Sequence, residues 1–117
     1  MNSPNVKIGC VANLYSRMMH FEKKGCIELG HAHQFDHLTL LASGSLRVIV
    51  DGKVTEFKAP HMIYIHKDKH HELVALEDNT VAYCIHALRD QETSDILDPS
   101  MIPEGVSALN LAQSVCA

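Results

Sequence analysis

The sequence predicts an all-β protein, and three observations carry that prediction. Short apolar or alternating runs recur at intervals of roughly 8–12 residues with polar turns between them, the spacing of strands in a sandwich or barrel. Two of these runs, 46–50 and 54–58, are joined by Asp51-Gly52, a strong signal for a two-residue β-hairpin. No run alternates with a helical pattern, so a parallel βα architecture has no support.

Taken in order, the run over 6–22 is moderately apolar. Leu14, Ser16, Met18 and His20 alternate there with Tyr15, Arg17, Met19 and Phe21. Neither face is cleanly polar, so the run reads as one strand buried on both faces or as two short strands, with a helix over 11–19 as competitor. Lys23-Lys24-Gly25 reads as a turn. Residues 26–29 form a short strand leading into a histidine-rich segment. In 46–50 and 54–58 the alternation is plain until Ala59-Pro60 ends it. Strands follow at 62–65, 72–76 and 81–88, separated by the turns Lys67-Asp68-Lys69 and Glu77-Asp78-Asn79. Beyond Arg89 the β pattern stops. There 106–115 reads equally as a short helix packing through Leu109 or as a mobile tail. The division is therefore one domain over 1–117, with a barrel core at about 6–89 and a tail at 90–117.

The 117 residues suffice for one buried core. With 46% hydrophobic and 21% charged residues the composition is that of an ordinary globular chain. A net charge of −4 argues against a general electrostatic affinity for nucleic acid or anionic membrane. No basic start leads into an apolar leader and no eighteen apolar residues follow one another, so a soluble, cytoplasmic protein is expected. Cys10, Cys26, Cys84 and Cys116 are scattered without a CxxC pair, which points to reduced thiols and away from a cysteine-ligated zinc.

Chemistry concentrates in 25–44, GCIELGHAHQFDHLTLLASG, which holds three of the nine histidines: His31, His33 and His37. All three positions are odd, and in an extended strand residues two and four apart share a face. Three imidazoles on one face suit a metal ion, since neutral imidazole is the commonest protein ligand for Zn, Fe, Ni and Cu. His20 and His86 lie in predicted strands and read as barrel-wall residues, or as donors near the metal. His61 and His66 fall in turns. Glu28 and Asp36 have the opposite parity to the ligands, as Glu72 has to His71, which argues against a general base among them. Tyr64, Tyr83, Thr39 and Cys84 remain as polar candidates for the cavity, Thr39 sharing the parity of His37. No serine, cysteine or carboxylate has a partnered base at a recognisable spacing.

These residues resemble the first motif of the cupin superfamily, G-x5-H-x-H-x(3,4)-E-x6-G. Gly25, His31, His33, His37 and Gly44 match every spacing, and His37 stands where the family has its acidic ligand. The second motif, G-x5-P-x-G-x2-H-x3-N, is degraded. His66 replaces its proline and Asp68 its second glycine, Val74 or Ala75 lies at the final asparagine, and His71 falls on the ligand position. The resemblance spans about 23–88. It implies a jelly-roll β-barrel with a divalent transition metal (Fe, Ni, Zn or Cu) held in its mouth by His31, His33, His37 and His71, with the adjacent His70 as rival to the last. Four neutral imidazoles leave a divalent ion at +2 where a glutamate would leave about +1. The site then welcomes an anionic ligand and disfavours Mg and Ca.

The resemblance further implies an ion with open coordination positions, acting on a small chelating, oxygen-bearing molecule by oxygenase-type chemistry. Isomerisation of a small sugar is the enzymatic alternative, but it needs a base and no carboxylate stands out for that role. A non-catalytic metal or small-ligand binding module is the reading from a different class. The implied partners are a small-molecule ligand and a second copy of the chain, in a homodimer.

Overall fold

The computed structural model describes residues 3–11, 14–31, 37–66 and 69–87, with 30, 31 and 37 described by their backbone alone. The ambiguity over 6–22 resolves into two strands, β1 (Asn5–Val11) and β2 (Leu14–Phe21), which pair antiparallel from Asn5 opposite His20 to Val11 opposite Leu14. Tyr15, Met19 and Phe21 are buried, whereas their neighbours are not. That period of two belongs to a strand and rules out the competing helix over 11–19.

β3 (Ile27–His31) and β4 (His37–Ser43) flank the histidine segment. β5 (Ser45–Val50) and β6 (Lys53–Lys58) are the expected hairpin. At its tip Asp51 and Gly52 adopt φ of 48° and 83°, both positive, as the tightest right-twisted hairpin turns require. β7 (His61–Ile65), β8 (His71–Ala75) and β9 (Thr80–Ala87) complete the set. The described residues contain no helix, so none long and apolar enough to cross a membrane. The expected tail 90–117, with its candidate helix at 106–115, lies outside them.

The strands form two antiparallel sheets, ordered β1-β2-β9-β4-β7 and β3-β8-β5-β6. They face each other as a jelly-roll sandwich, not as one continuous hydrogen-bonded barrel wall. Each sheet turns one side inward, and the register sorts the inward residues into rows. In the five-stranded sheet one row is Met19, Ala82 and Leu41, all fully buried. The next is Arg17, Cys84, Thr39 and Ile63, and the one after holds Tyr15 and His86. The four-stranded sheet runs in parallel fashion, from Leu46 and Ala75, through Val48, Leu73 and Glu28, to Val50 and His71.

The interior is therefore graded. Phe21, Met19, Leu41, Leu46, Ala75 and Ala82 make a closed apolar core at one end. Polar groups collect toward the other, where β3 and β7 end and β4 and β8 begin. Cys10, Cys26 and Cys84 are free thiols.

Candidate metal centre

His71 is the first residue of β8, and it is buried at 5% exposure. Leu73 and Ala75 follow it on the buried side while Glu72 and Val74 are half-buried and His70 is exposed. Strand alternation thus turns His71, and not its neighbour, into the interior. Its Nδ1 lies 3.4 Å from the Lys69 carbonyl oxygen.

The other members of the predicted set stand as follows. His31 ends β3, and a register shift between Glu28 and His31 sets it opposite His71; Glu28 pairs with Leu73, so one residue is extra on the β3 side. This is a β-bulge, and opposed positions of an antiparallel pair lie about 4.5–5.5 Å apart at Cα. His37 opens β4 in the other sheet, opposite Ile65. His33 lies outside the described residues. Three histidines on one face of one strand is therefore not the arrangement: the chain leaves one sheet after residue 31 and enters the facing sheet at 37. Parity within a strand cannot relate positions on opposite sheets. Among the described residues no three His, Cys, Asp or Glu side chains gather, and of the four ligand candidates only the His71 side chain belongs to them.

The same bulge corrects the reading of Glu28. Counting straight through from His31 sets Glu28 on the opposite face, whereas the extra residue restores it to the inner one. Its carboxylate accepts a hydrogen bond from Arg17 Nη1, across the sandwich from the facing sheet. Both side chains are mostly buried, at 17% exposure for Arg17 and 16% for Glu28. Burial pulls the Arg17 guanidinium below its ordinary pKa, opposed by the nearby Cys84 and Tyr15, and arginine stays charged throughout the working pH range.

Cys84 sits beside Arg17 in the register, with its Sγ 3.5 Å from Thr39 Oγ1. Desolvation pushes its thiol up, while the Thr39 hydrogen bond and the Arg17 charge pull the other way.

Of the polar candidates, Thr39, Cys84 and His86 face the interior. Tyr64 and Tyr83 belong to the outer face, where Tyr64 meets the His66 ring at 4.6 Å between centroids. His20 bonds through Nε2 to Asn79 Oδ1 at 3.0 Å, at the apolar end and outside, so it takes no part in the site. His61 packs on Phe57. Among the described side chains, the donors at the polar end are the imidazoles of His71 and His86, with the Glu28 carboxylate and the Cys84 thiol one row deeper. That set suits a borderline transition metal and does not suit Mg or Ca.

Two facing antiparallel sheets in this strand order define the class of jelly-roll β proteins. The solved structures that resemble the chain narrow the class. KdgF from a Halomonas species superposes with a TM-score of 0.64 at 19% identity, over 74% of this chain and 80% of that one. A cupin 2 domain-containing protein from Halorhodospira halophila gives 0.66 at 15%, over 86% and 81%. An RmlC-like cupin with a double-stranded β-helix fold from Methanocaldococcus jannaschii gives 0.67 at 7%, over 80% and 88%. No protein-family model and no curated protein matches the sequence. The chain has the fold of the cupin superfamily.

Proposed function

We propose that this chain binds one divalent transition metal ion (Fe, Ni, Cu or Zn) at the polar end of the sandwich through His31, His33, His37 and His71. The ion in turn binds and polarises a small, chelating, oxygen-bearing molecule. The observation that carries this reading is the β3 bulge, which sets residue 31 opposite the buried His71, with residue 37 opening the facing sheet at the same end. When bound, the ion supplies Lewis acidity and, if redox-active, a site for dioxygen. The chain's own residues orient the ligand, while Ile63, Ile65 and Val48 limit water around it.

Oxygenase-type chemistry remains ahead of isomerisation. Proton transfer gains a candidate base in Glu28, but a carboxylate hydrogen-bonded to arginine is a weak one. Cytoplasmic residence suits the free thiols of Cys10, Cys26 and Cys84. A homodimer suits the outer face of the five-stranded sheet, where Leu38, Leu40, Met62, Tyr64, Tyr83 and Ile85 form a broad apolar surface.

Elemental analysis of untagged protein purified without added metal tests the reading, with His31→Ala and His71→Ala alongside. Near-stoichiometric Fe, Ni, Cu or Zn that both variants lose is the expected result. Full retention in both variants overturns the ligand assignment. Tight retention with no turnover of chelating substrates in the presence of dioxygen makes the chain a binding module.

A further inference from the structure

The pair Arg17–Glu28 is the one charged contact that crosses between the two sheets among the described residues. Exchange of a buried ion pair for apolar side chains is often neutral or stabilising, so stability alone is a poor reason for its presence. Its place is informative. Arg17 is one inward row from Tyr15 and His86, and Glu28 is one register pair from the position where His31 faces His71. The apolar core lies behind it.

Arg17 has five N–H donors, and Glu28 is its hydrogen-bond partner among the described residues, through Nη1. The guanidinium's remaining edge has the fork geometry that receives a carboxylate through two parallel bonds. The side chain is not sealed, at 17% exposure. Burial lowers the pKa of Arg17, the mark of a cation held partly out of water.

We propose that Arg17 is a carboxylate-binding residue, and that the small molecule taken up at the polar end is a short-chain carboxylate with a second oxygen donor directed at the histidines. The second anchor rests on the metal reading above; the first does not. One inward row is two strand residues, roughly 7 Å, which sets the separation between the ligand's carboxylate and its other oxygen donor. Four- and five-carbon oxo, hydroxy or dicarboxylic acids have that reach. Glu28 holds the guanidinium in place and, as a second anion on the same arginine, limits the affinity.

Isothermal titration calorimetry on metal-free protein tests this, with succinate, glutarate and 2-oxoglutarate as probes and succinamide as the uncharged isostere. Wild-type protein is expected to bind at least one of the acids and to reject succinamide. Arg17→Gln should weaken the acid by about 10–100-fold, the loss of a charge-assisted contact worth about 1.5–3 kcal/mol. Glu28→Gln should tighten it. Opposite signs from the two substitutions are what a purely structural clasp does not produce. If Arg17→Gln fails to fold, Arg17→Lys takes its place, expected to weaken binding about tenfold because the ammonium has no bidentate edge.

The inference is overturned if no acid binds, if succinamide binds equally, or if the arginine substitution leaves affinity unchanged. Metal content of the same preparations, measured as purified and before the metal is removed, separates the two readings. Metal retained without acid binding removes this inference alone, while acid bound by a protein that takes up no metal upholds Arg17 and removes the metal centre.

Discussion

Gly44 closes the first motif, and its requirement is one of backbone and space. It sits between β4 and β5 at φ +79°, a conformation that costs a non-glycine residue about 1–2 kcal/mol. A Cβ there would lie 2.8 Å from Thr80 Cα and 2.9 Å from Thr80 Cβ. Thr80 cannot yield easily. It is fully buried, and its hydroxyl donates to the Glu77 carbonyl at 3.0 Å and lies 3.3 Å from the Ser45 amide nitrogen. The Gly44 carbonyl also accepts from Ala59 N at 2.9 Å, tying the turn to the start of the next connection. Overpacking against such a fixed neighbour typically costs a further 1–3 kcal/mol, so Gly44→Ala should cost about 2–5 kcal/mol in all.

Gly25→Ala and Gly52→Ala are the controls: φ is +93° and +83°, with nothing within 4 Å of an added Cβ, so only the conformational part of about 1–2 kcal/mol applies. Urea unfolding monitored by circular dichroism reads the difference. With a slope of about 2 kcal/mol/M, the midpoint of Gly44→Ala should fall roughly 1 M below those of the controls. Equal midpoints for the three variants would refute the steric argument and leave the φ penalty as the whole effect.

Two further outcomes are expected. Burial raises the pKa of both the Cys84 and Cys10 thiols, so the folded chain holds these protons more tightly than the unfolded one. Their contribution is fully present below the unfolded thiol value of about 8.5 and is lost as pH rises above it. The urea midpoint should therefore fall between pH 7.5 and 9.5, and fall less in Cys84→Ala; an identical decline in that variant would exclude Cys84 as a source. On the outer face, Met62→Lys places a charge on a residue 65% exposed, with little cost to the fold. Sedimentation velocity should show a dimer for the wild type and a monomer for the variant; a wild-type monomer at tens of micromolar would remove the self-association reading.

The strands were legible because their inward residues obey a period of two with few exceptions, and because Asp51-Gly52 carries its own turn chemistry. Alternation said only that one of His70 and His71 could face inward; the motif spacing chose His71, which is the buried one. What alternation could not convey was its own interruption. The bulge in β3 shifts the register by one residue, and with it the face to which Glu28 belongs. A signal was present: Gly30 stands inside a strand pattern, where an isolated glycine often marks a bulge. The Arg17–Glu28 contact had no such marker. The two residues lie on strands of different sheets, and nothing in the spacing of eleven residues distinguishes a pair across a sandwich from two residues that never meet.

The gradient inside the sandwich bears on how the site and the stability of the fold divide between the same strands. β2, β9 and β8 each run from fully buried apolar side chains at one end to Arg17, His86 and His71 toward the other. A closed core at the far end lets the polar end carry groups that a uniformly apolar interior would exclude, since each costs desolvation unless partnered. Shortening Leu41 or Leu46, both fully buried at the apolar end, should therefore cost about 2–5 kcal/mol of stability and leave ligand selectivity unaltered. Substitution at Arg17 or Glu28 should change ligand selectivity, which the apolar substitutions leave alone, besides the stability cost of breaking a buried pair. That separation follows from the register, which places Arg17, Glu28, His86 and His71 at least one row from Met19, Ala82 and Leu41, while Thr80 at the apolar end is satisfied by its own hydrogen bonds.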